Sequence, residues 1–481
     1  MKNPITETSG GALFEGVIDL EKVRAAHKAL AKESYVCEAD GNAAAAYACA
    51  QMWRCLLFAG FPITPSTKWL EMISSLIGSG KCGIKKVKLL EAEHAVADYL
   101  AGAGAACRDL IFATATSSVG LDHMTECTRS LGASGLGNLL LVNVYRATAN
   151  YPLCIEGDPS DTLAHRDDGW IQICCRGVQQ IYDTILQAPC LGMHPEVLTP
   201  TMPGYYGIKD SHRSSRLVIE PDAKIHAFQD KWIAPSRLPG LINGDTAMGN
   251  CVTSKFFQGF KIDQKTRMEK VFDLLPQIGR DFQKTFGRPG LEFVEPIHWP
   301  EEDAPSERSE REGGQGRKTW SSGPRETAAT AFKNLPLEGA TKAPIIDLAI
   351  VGMGPDVGTA SALVQKEETR LGLKIGVLSA RLLTPFPHAE YTKKLRNAKA
   401  VLVVNQAHHY GTGHLSLDIT EACYPLEKRP VIVPCFAGMG GATLSDETWE
   451  KMIEHAASAI GKTGERIPPV VVHEGKVLWQ S

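Results

Sequence analysis

Between residues 41 and 250 the chain alternates apolar runs with runs of helical pattern. "AAAAYACAQMWRCLLFAG" has helical length and small residues suited to close packing. "KKVKLL" reads as a short strand, "EAEHAVADYLAGAGAAC" as a helix ending near glycine, and "LIFATAT" as a strand. "LDHMTECTRSLGASG" then predicts a helix, "LLLVNVYRA" a strand, "GVQQIYDTILQAPCLG" a helix and "EVLTPTMPGYY" a further strand. This alternation implies a parallel sheet covered on both faces, with ligands beyond the carboxyl ends of its strands. Residues 265–286 read as a connecting helix interrupted by proline. A second α/β unit starts near Pro344, with strands in "IIDLAIVGMG", "KIGVLSARLL", "KAVLVVNQAHH" and "RPVIVPCFAGMGG". No internal repeat relates the two units.

Between them, "EEDAPSERSEREGGQGRKTWSSGPRETAAT" is charged, rich in Gly, Ser and Pro, and nearly free of aliphatics. Such a segment buries too little surface to offset its chain entropy, so residues 301–343 are expected to be a flexible insertion or linker. The expected organisation is an N-terminal arm (1–34), a first α/β domain (35–260), a connecting helix (261–300), the linker and a second domain (344–481).

Composition removes several function classes. The net charge of −3 and the lack of a basic block argue against nucleic acid as the main partner. No apolar run reaches the ~18 residues of a membrane span. The N-terminus lacks the apolar core of a signal peptide, so a cytoplasmic location is expected. None of the 13 cysteines forms C-x-x-C, and most stand in apolar contexts, as reduced buried cysteines do.

Four stretches carry candidate chemistry. "VGMGPDVG" resembles a dinucleotide-binding turn, but its third glycine comes one residue late and no acidic residue ends the next strand. Tight strand-to-helix packing explains its glycines as well. "LEAEHAVADY" opens a helix with Glu91 and Glu93. Glu91 suits the positive end of the helix dipole, whereas Glu93 alone reads as solvated. Arg146 ends the strand "LLLVNV", poised either for an anionic group or for an ion pair with Asp158 or Asp161. "FPITPST" (61–67) follows the apolar "CLLFAG". Its two prolines make a rigid turn that presents fixed hydroxyls.

In order along the chain, "GNAAAAYA", "FPITPST", "EAEHA…TATSSVGL" and "NV-x-RA…GDPSDT-x-x-x-RD-x-GW" resemble the α subunit of 2-oxoacid:acceptor oxidoreductases of the pyruvate:ferredoxin oxidoreductase type. "GMGPDVGTA…RLLTPFP…GTGH…GMGG" resembles that family's second domain, which is similar to the transketolase C-terminal domain. The resemblance implies a thiamine-diphosphate-binding fold, with a pyrimidine-binding domain followed by a transketolase C-terminal-like α/β domain. It also implies oxidative decarboxylation of a 2-oxoacid to acyl-CoA and CO2. By the same resemblance, Thr64 would contact substrate, Glu93 would face the pyrimidine ring nitrogen and Arg146 would bind the 2-oxoacid carboxylate. Pro62, Ile63, Thr116, Ser117 and Ser118 would line the cofactor, within the "TATSSVG" turn and the proline turn.

No metal ligand is expected in this chain, because it lacks the G-D-G motif that holds Mg2+ and diphosphate; "NGDTAMGN" comes nearest. The diphosphate half-site and Mg2+ are therefore expected on a β subunit. A γ subunit and a ferredoxin-like δ subunit would contribute CoA contacts and 4Fe-4S clusters. Ala43 after "GN", "ATANYPL" after Arg146 and "PGYYGIKDSH" depart from the family pattern, so phenylglyoxylate stands beside pyruvate as a candidate substrate. A nonoxidative thiamine-dependent decarboxylase or transketolase-like subunit and a scaffold without chemistry are the alternatives from other classes.

Overall fold

The computed structural model describes residues 19–148, 152–236, 240–241, 251–300, 345–407, 409–462, 465 and 467–480. Most of the N-terminal arm, the 301–343 linker and "NGDTAMGN" lie outside the described residues.

The strands, in chain order, are β1 (Tyr35–Ala39), β2 (Cys55–Gly60), β3 (Lys86–Leu89), β4 (Ile111–Thr116), β5 (Leu139–Tyr145), β6 (Ile171–Cys174), β7 (Thr201–Tyr206) and β8 (Ser215–Ile219). They continue with β9 (Val294–His298), β10 (Ile346–Gly352), β11 (Ile375–Ala380), β12 (Leu382–Thr384), β13 (Ala398–Asn405), β14 (Val431–Phe436), β15 (Val470–His473) and β16 (Lys476–Gln480). The first seven-stranded sheet has the order β12-β6-β7-β5-β4-β2-β3, and the second β16-β15-β14-β13-β10-β11-β9. The strands β2 to β7 of the first sheet pair in parallel, as the alternation of elements requires. Every residue of β4 and β5 is buried, because helices cover both faces.

"AAAAYACAQMWRCLLFAG" is not one helix. The helix Gly41–Gln51 ends at Met52, and Cys55–Gly60 is a strand between β3 and β4. The alanines let this helix be buried nearly all round, against the helix Val178–Gly192 among others. Asp40 caps it by accepting the Ala43 N–H at 2.9 Å. "LDHMTECTRSLGASG" also divides, into Val119–His123 and Thr125–Gly132 with Met124 between them.

The expected proline interruption is absent: the helix Ser254–Phe286 runs through Pro276. Burial of Val271, Leu274, Leu275, Ile278 and Phe282 on its C-terminal half compensates the hydrogen bond that Pro276 cannot donate.

"KIGVLSARLL" is likewise two strands. β11 stays in the second sheet, the chain turns at Arg381, and β12 pairs antiparallel with β6 of the first. β9, from the segment after the long helix, pairs antiparallel with β11. The two units thus exchange edges. Tyr145, Leu163, Cys174 and Tyr206 of the first unit share one core with Val351, Leu378 and Val403 of the second.

Candidate functional site

The carboxyl ends of β2, β4 and β5 converge on the expected site residues. After β2, "FPITPST" is held by its own backbone: the Ile63 carbonyl accepts Ser66 N–H (2.9 Å), Ser66 Oγ–H (2.8 Å) and Thr67 N–H (3.0 Å). Asn42 Nδ2 donates to the Pro65 carbonyl at 2.9 Å, and Tyr205 Oη donates to Asn42 Oδ1 at 2.7 Å. Ser66 is therefore a structural hydroxyl, whereas Thr64 and Pro62 are exposed.

Arg146 follows β5 and is buried. Its Nη1 donates to the Thr64 carbonyl at 2.9 Å, which brings the two expected substrate residues together. The ion pair with Asp158 or Asp161 is not formed. Asp161 Oδ2 accepts the Arg146 backbone N–H (3.1 Å) and the Ser118 N–H (2.9 Å), tying the ends of β5 and β4. Asp158 Oδ2 instead reaches the Gly440 N–H of the second unit at 2.7 Å. Burial pushes the Asp161 carboxyl up to about 7, against the lowering effect of these N–H donors.

Glu93 is the first residue of the helix Glu93–Ala106; Glu91 lies outside it and is exposed. The dipole argument thus belongs to Glu93, which is buried and not solvated, with 7% exposure. A Cβ built on Gly120 would lie 2.4 Å from Thr116 Oγ1, 3.3 Å from Ile63 Cδ1 and 3.4 Å from Glu93 Cγ. Only glycine leaves room where these three groups meet. Ser118, with φ of 44°, holds an uncommon backbone conformation, fixed through Asp161 and through its Oγ–H to the Ala147 carbonyl at 3.0 Å.

Buried polar atoms here lack partners among the described residues: Thr116 Oγ1, Ser117 Oγ, Asn143 Oδ1 and Nδ2, and Arg146 Nε. Buried groups are ordinarily satisfied, so this set fits a polar ligand such as an aminopyrimidine and a carboxylate. Residue-level reading placed Gly120 only within the "TATSSVG" turn and Asp161 only as an ion-pair candidate, and it did not single out Asn42 or Asn143. "GDPSDT" was the available signal for Asp161. The other three act through contacts no local pattern reveals.

Away from this site, His27, Asp222 and His226 place three ligand atoms close enough for a metal. The Asp222 oxygens already face His27 and accept from Leu30, Ala31 and Gln51, which makes it a hub that anchors the N-terminal helix. The glycine turn "VGMGPDVG" is closed: a Cβ on Gly354 would come within 2.1 Å of the Tyr206 ring, and Asp356 is engaged by Lys209 and Gln406. All 13 cysteines are free thiols. Among the described residues, no helix is long and apolar enough to cross a membrane.

Residues 48–270 match the thiamine-diphosphate-binding domain of pyruvate flavodoxin/ferredoxin oxidoreductases, and residues 346–448 match core domain II of pyruvate:ferredoxin oxidoreductase. The chain is 27% identical over 399 residues to pyruvate synthase subunit PorA of Thermotoga maritima, covering 83% of this chain and 88% of that one. It is 26% identical over 427 residues to ketoisovalerate oxidoreductase subunit VorA of Pyrococcus abyssi (86% and 93% covered). It is 24% identical over 467 residues to the α subunit of NADH-dependent phenylglyoxylate dehydrogenase of Aromatoleum evansii (95% and 98% covered). Its fold resembles 2-oxoglutarate:ferredoxin oxidoreductase from Magnetococcus marinus, with a TM-score of 0.58 at 16% identity, covering 89% of this chain and 66% of that chain.

Proposed function

Since the chain belongs to the pyruvate:ferredoxin-type 2-oxoacid:acceptor oxidoreductase family, we propose that it is the α subunit supplying the pyrimidine half of a shared thiamine diphosphate site. The complex oxidatively decarboxylates a 2-oxoacid to its acyl-CoA and CO2 and passes electrons to 4Fe-4S clusters in partner subunits. The observation that carries this reading is the convergence of Glu93, Thr116 and Ile63 around Gly120, beside the Arg146–Thr64 hydrogen bond.

Thiamine diphosphate, when bound, would supply nucleophilic C2 chemistry toward the keto carbon of a 2-oxoacid. Glu93 would hold a proton toward the pyrimidine ring nitrogen. Thr116, Ser117 and Ser118 line the ring with polar groups, next to Pro62 and Ile63. Arg146 binds the 2-oxoacid carboxylate; its buried Nε–H offers a donor edge matched to a planar anion. Thr64, fixed between two prolines, presents its hydroxyl to the substrate without reorganisation.

The diphosphate, Mg2+ and clusters belong to β and δ subunits, and CoA contacts to a γ subunit. Exposed Phe256, Phe257 and Phe260 on one helix support a surface that meets partners. The proposed division between the first domain and the connecting helix, 260/261, falls within the helix Ser254–Phe286. The assembly is cytoplasmic.

The test is to isolate the chain with its partners, then measure thiamine diphosphate per chain, iron, and CoA-dependent dye reduction with pyruvate, 2-oxoisovalerate and phenylglyoxylate. One cofactor per chain and CoA-dependent reduction with one of these acids are expected. Aldehyde release without iron would favour nonoxidative decarboxylation, and absence of cofactor would favour a scaffold.

A further inference from the structure

Beside Glu93 lies an open hollow of about 730 Å³, lined by His94, Asp98, His123 and Glu126 among others. His123 Nδ1 lies 3.3 Å from Glu93 Oε2. The two groups differ sharply in access: the His123 side chain is 62% exposed and that of Glu93 10%. Glu93 Oε1 is unengaged among the described residues. The neighbouring Asp122 is committed elsewhere, to His165 Nε2 at 3.0 Å, and so does not compete for His123.

We propose that His123 is a proton relay between solvent and Glu93. This rests on the reading of Glu93 as the carboxyl that faces the thiamine pyrimidine. A carboxyl in that position must gain and lose a proton, yet it is buried at a helix N-terminus and has little access to solvent of its own. An imidazole changes charge near neutral pH and carries two exchangeable nitrogen positions. His123 takes a proton from Glu93 at Nδ1 and gives one from Nε2 to water; the reverse restores it. Charge and proton number balance, and no oxidant takes part. The titratable groups around the ring are Glu93, His94 and Asp98 on one helix, Glu126 and Cys127 on the next, and Asp122 on its own. His123 touches Glu93, so if Glu93 touches cofactor His123 acts through it, as a positioning and relay residue.

Two measurements test this. In the cofactor-free complex, the His123 ring signals are observed by NMR, assigned by their loss in His123→Gln. Glu93→Gln is expected to change their chemical shifts; unchanged shifts overturn the contact. In the complex loaded with thiamine diphosphate to equal occupancy, exchange of the C2 proton for deuterium is timed by quench and NMR. His123→Leu and His123→Gln are expected to slow exchange ~10-fold or more. In His123→Ala, added imidazole should restore it in proportion to concentration, because the position is open to solvent. Wild-type exchange rates in both substitutions, or no response to imidazole, overturn the relay alone. A wild-type complex that binds no thiamine diphosphate overturns the functional reading beneath it.

Discussion

The two parallel sheets end in different ways. At the carboxyl ends of β4 and β5, buried side chains converge with donors and acceptors left over: Thr116, Ser117, Asn143 and the Arg146 Nε–H have no partners among the described residues. At the corresponding ends of β10 and β13, the polar groups are already used. Asn405 Nδ2 donates to Ser416 Oγ at 2.7 Å, Tyr206 Oη donates to Gln406 Oε1 at 2.7 Å, and Gln406 Nε2 and Lys209 Nζ both donate to Asp356 Oδ2 at 2.6 Å. Topology marks both sheet ends alike, but among the described residues the first leaves buried polar groups without partners and the second does not. The glycine turn of the second unit fits the first unit's Tyr206; the glycine of the first fits the space between Glu93, Thr116 and Ile63.

The sharpest way to break this contrast is at Glu93. Glu93→Gln keeps the shape but cannot carry the proton, so turnover is expected to fall ~100-fold or more with assembly and cofactor content intact. Near-normal turnover would return Glu93 to a helix-terminal role. Next comes Arg146→Lys, which keeps the charge and loses the paired donors. A fall of ~10-fold or more in kcat/KM for the 2-oxoacid is expected, at unchanged cofactor content. Cofactor loss instead would move Arg146 to the cofactor side.

Two glycine substitutions then test the ends against each other. Gly354→Ala forces a methyl into the ring of Tyr206, which is fully buried and held by Gln406 and by Tyr145, 5.5 Å away edge-on. With φ of +68° at this position, a loss of about 3 kcal/mol of stability is expected, read as a lower Tm. Gly120→Ala displaces Thr116 and is expected to weaken thiamine diphosphate binding with a smaller change in Tm. If both variants lost stability alone, the first unit's turn would be a packing device too.

The same contrast shows what the sequence could reveal. The parallel α/β units and the rigid "FPITPST" turn were legible from local pattern, whereas Glu93 and Arg146 were singled out by the family motif, local pattern alone leaving the first solvated and the second open between an anion and an ion pair. The split of "KIGVLSARLL" between two sheets was not, since both halves are apolar and the division depends on which edge, β6 or β9, lies alongside. The burial of Glu93 was also hidden: it depends on Gly120 approaching from a strand-to-helix turn 27 positions later. The ion-pair alternative for Arg146 rested on Asp158 and Asp161 being near in sequence, yet the Asp161 carboxylate receives the backbone N–H and the guanidinium reaches the Thr64 carbonyl.

The smallest expected effect lies behind the site, in the cluster that supports Asp122. His165 sits between Asp168 Oδ2, 2.8 Å from its Nδ1, and Asp122 Oδ1, 3.0 Å from its Nε2. Burial alone would lower its affinity for a proton, but hydrogen bonds with Asp122 and Asp168 prevail and raise it from 6.5 to about 9. Asp168 is also held by Thr128 Oγ–H and Arg129 Nε–H, so the ring is gripped by a carboxylate that is itself fixed. The charged ring is favoured in the folded chain. Its stabilisation is complete below the unfolded value near 6.5 and is lost as pH rises through about 9. Wild type is therefore expected to lose Tm between pH 6.5 and 9.5, and His165→Gln to lose less over the same interval. Parallel pH profiles would mean that the two carboxylates hold a neutral ring. If the profile flattens as expected while cofactor content stays constant, the cluster stabilises the wall behind the site and takes no part in binding.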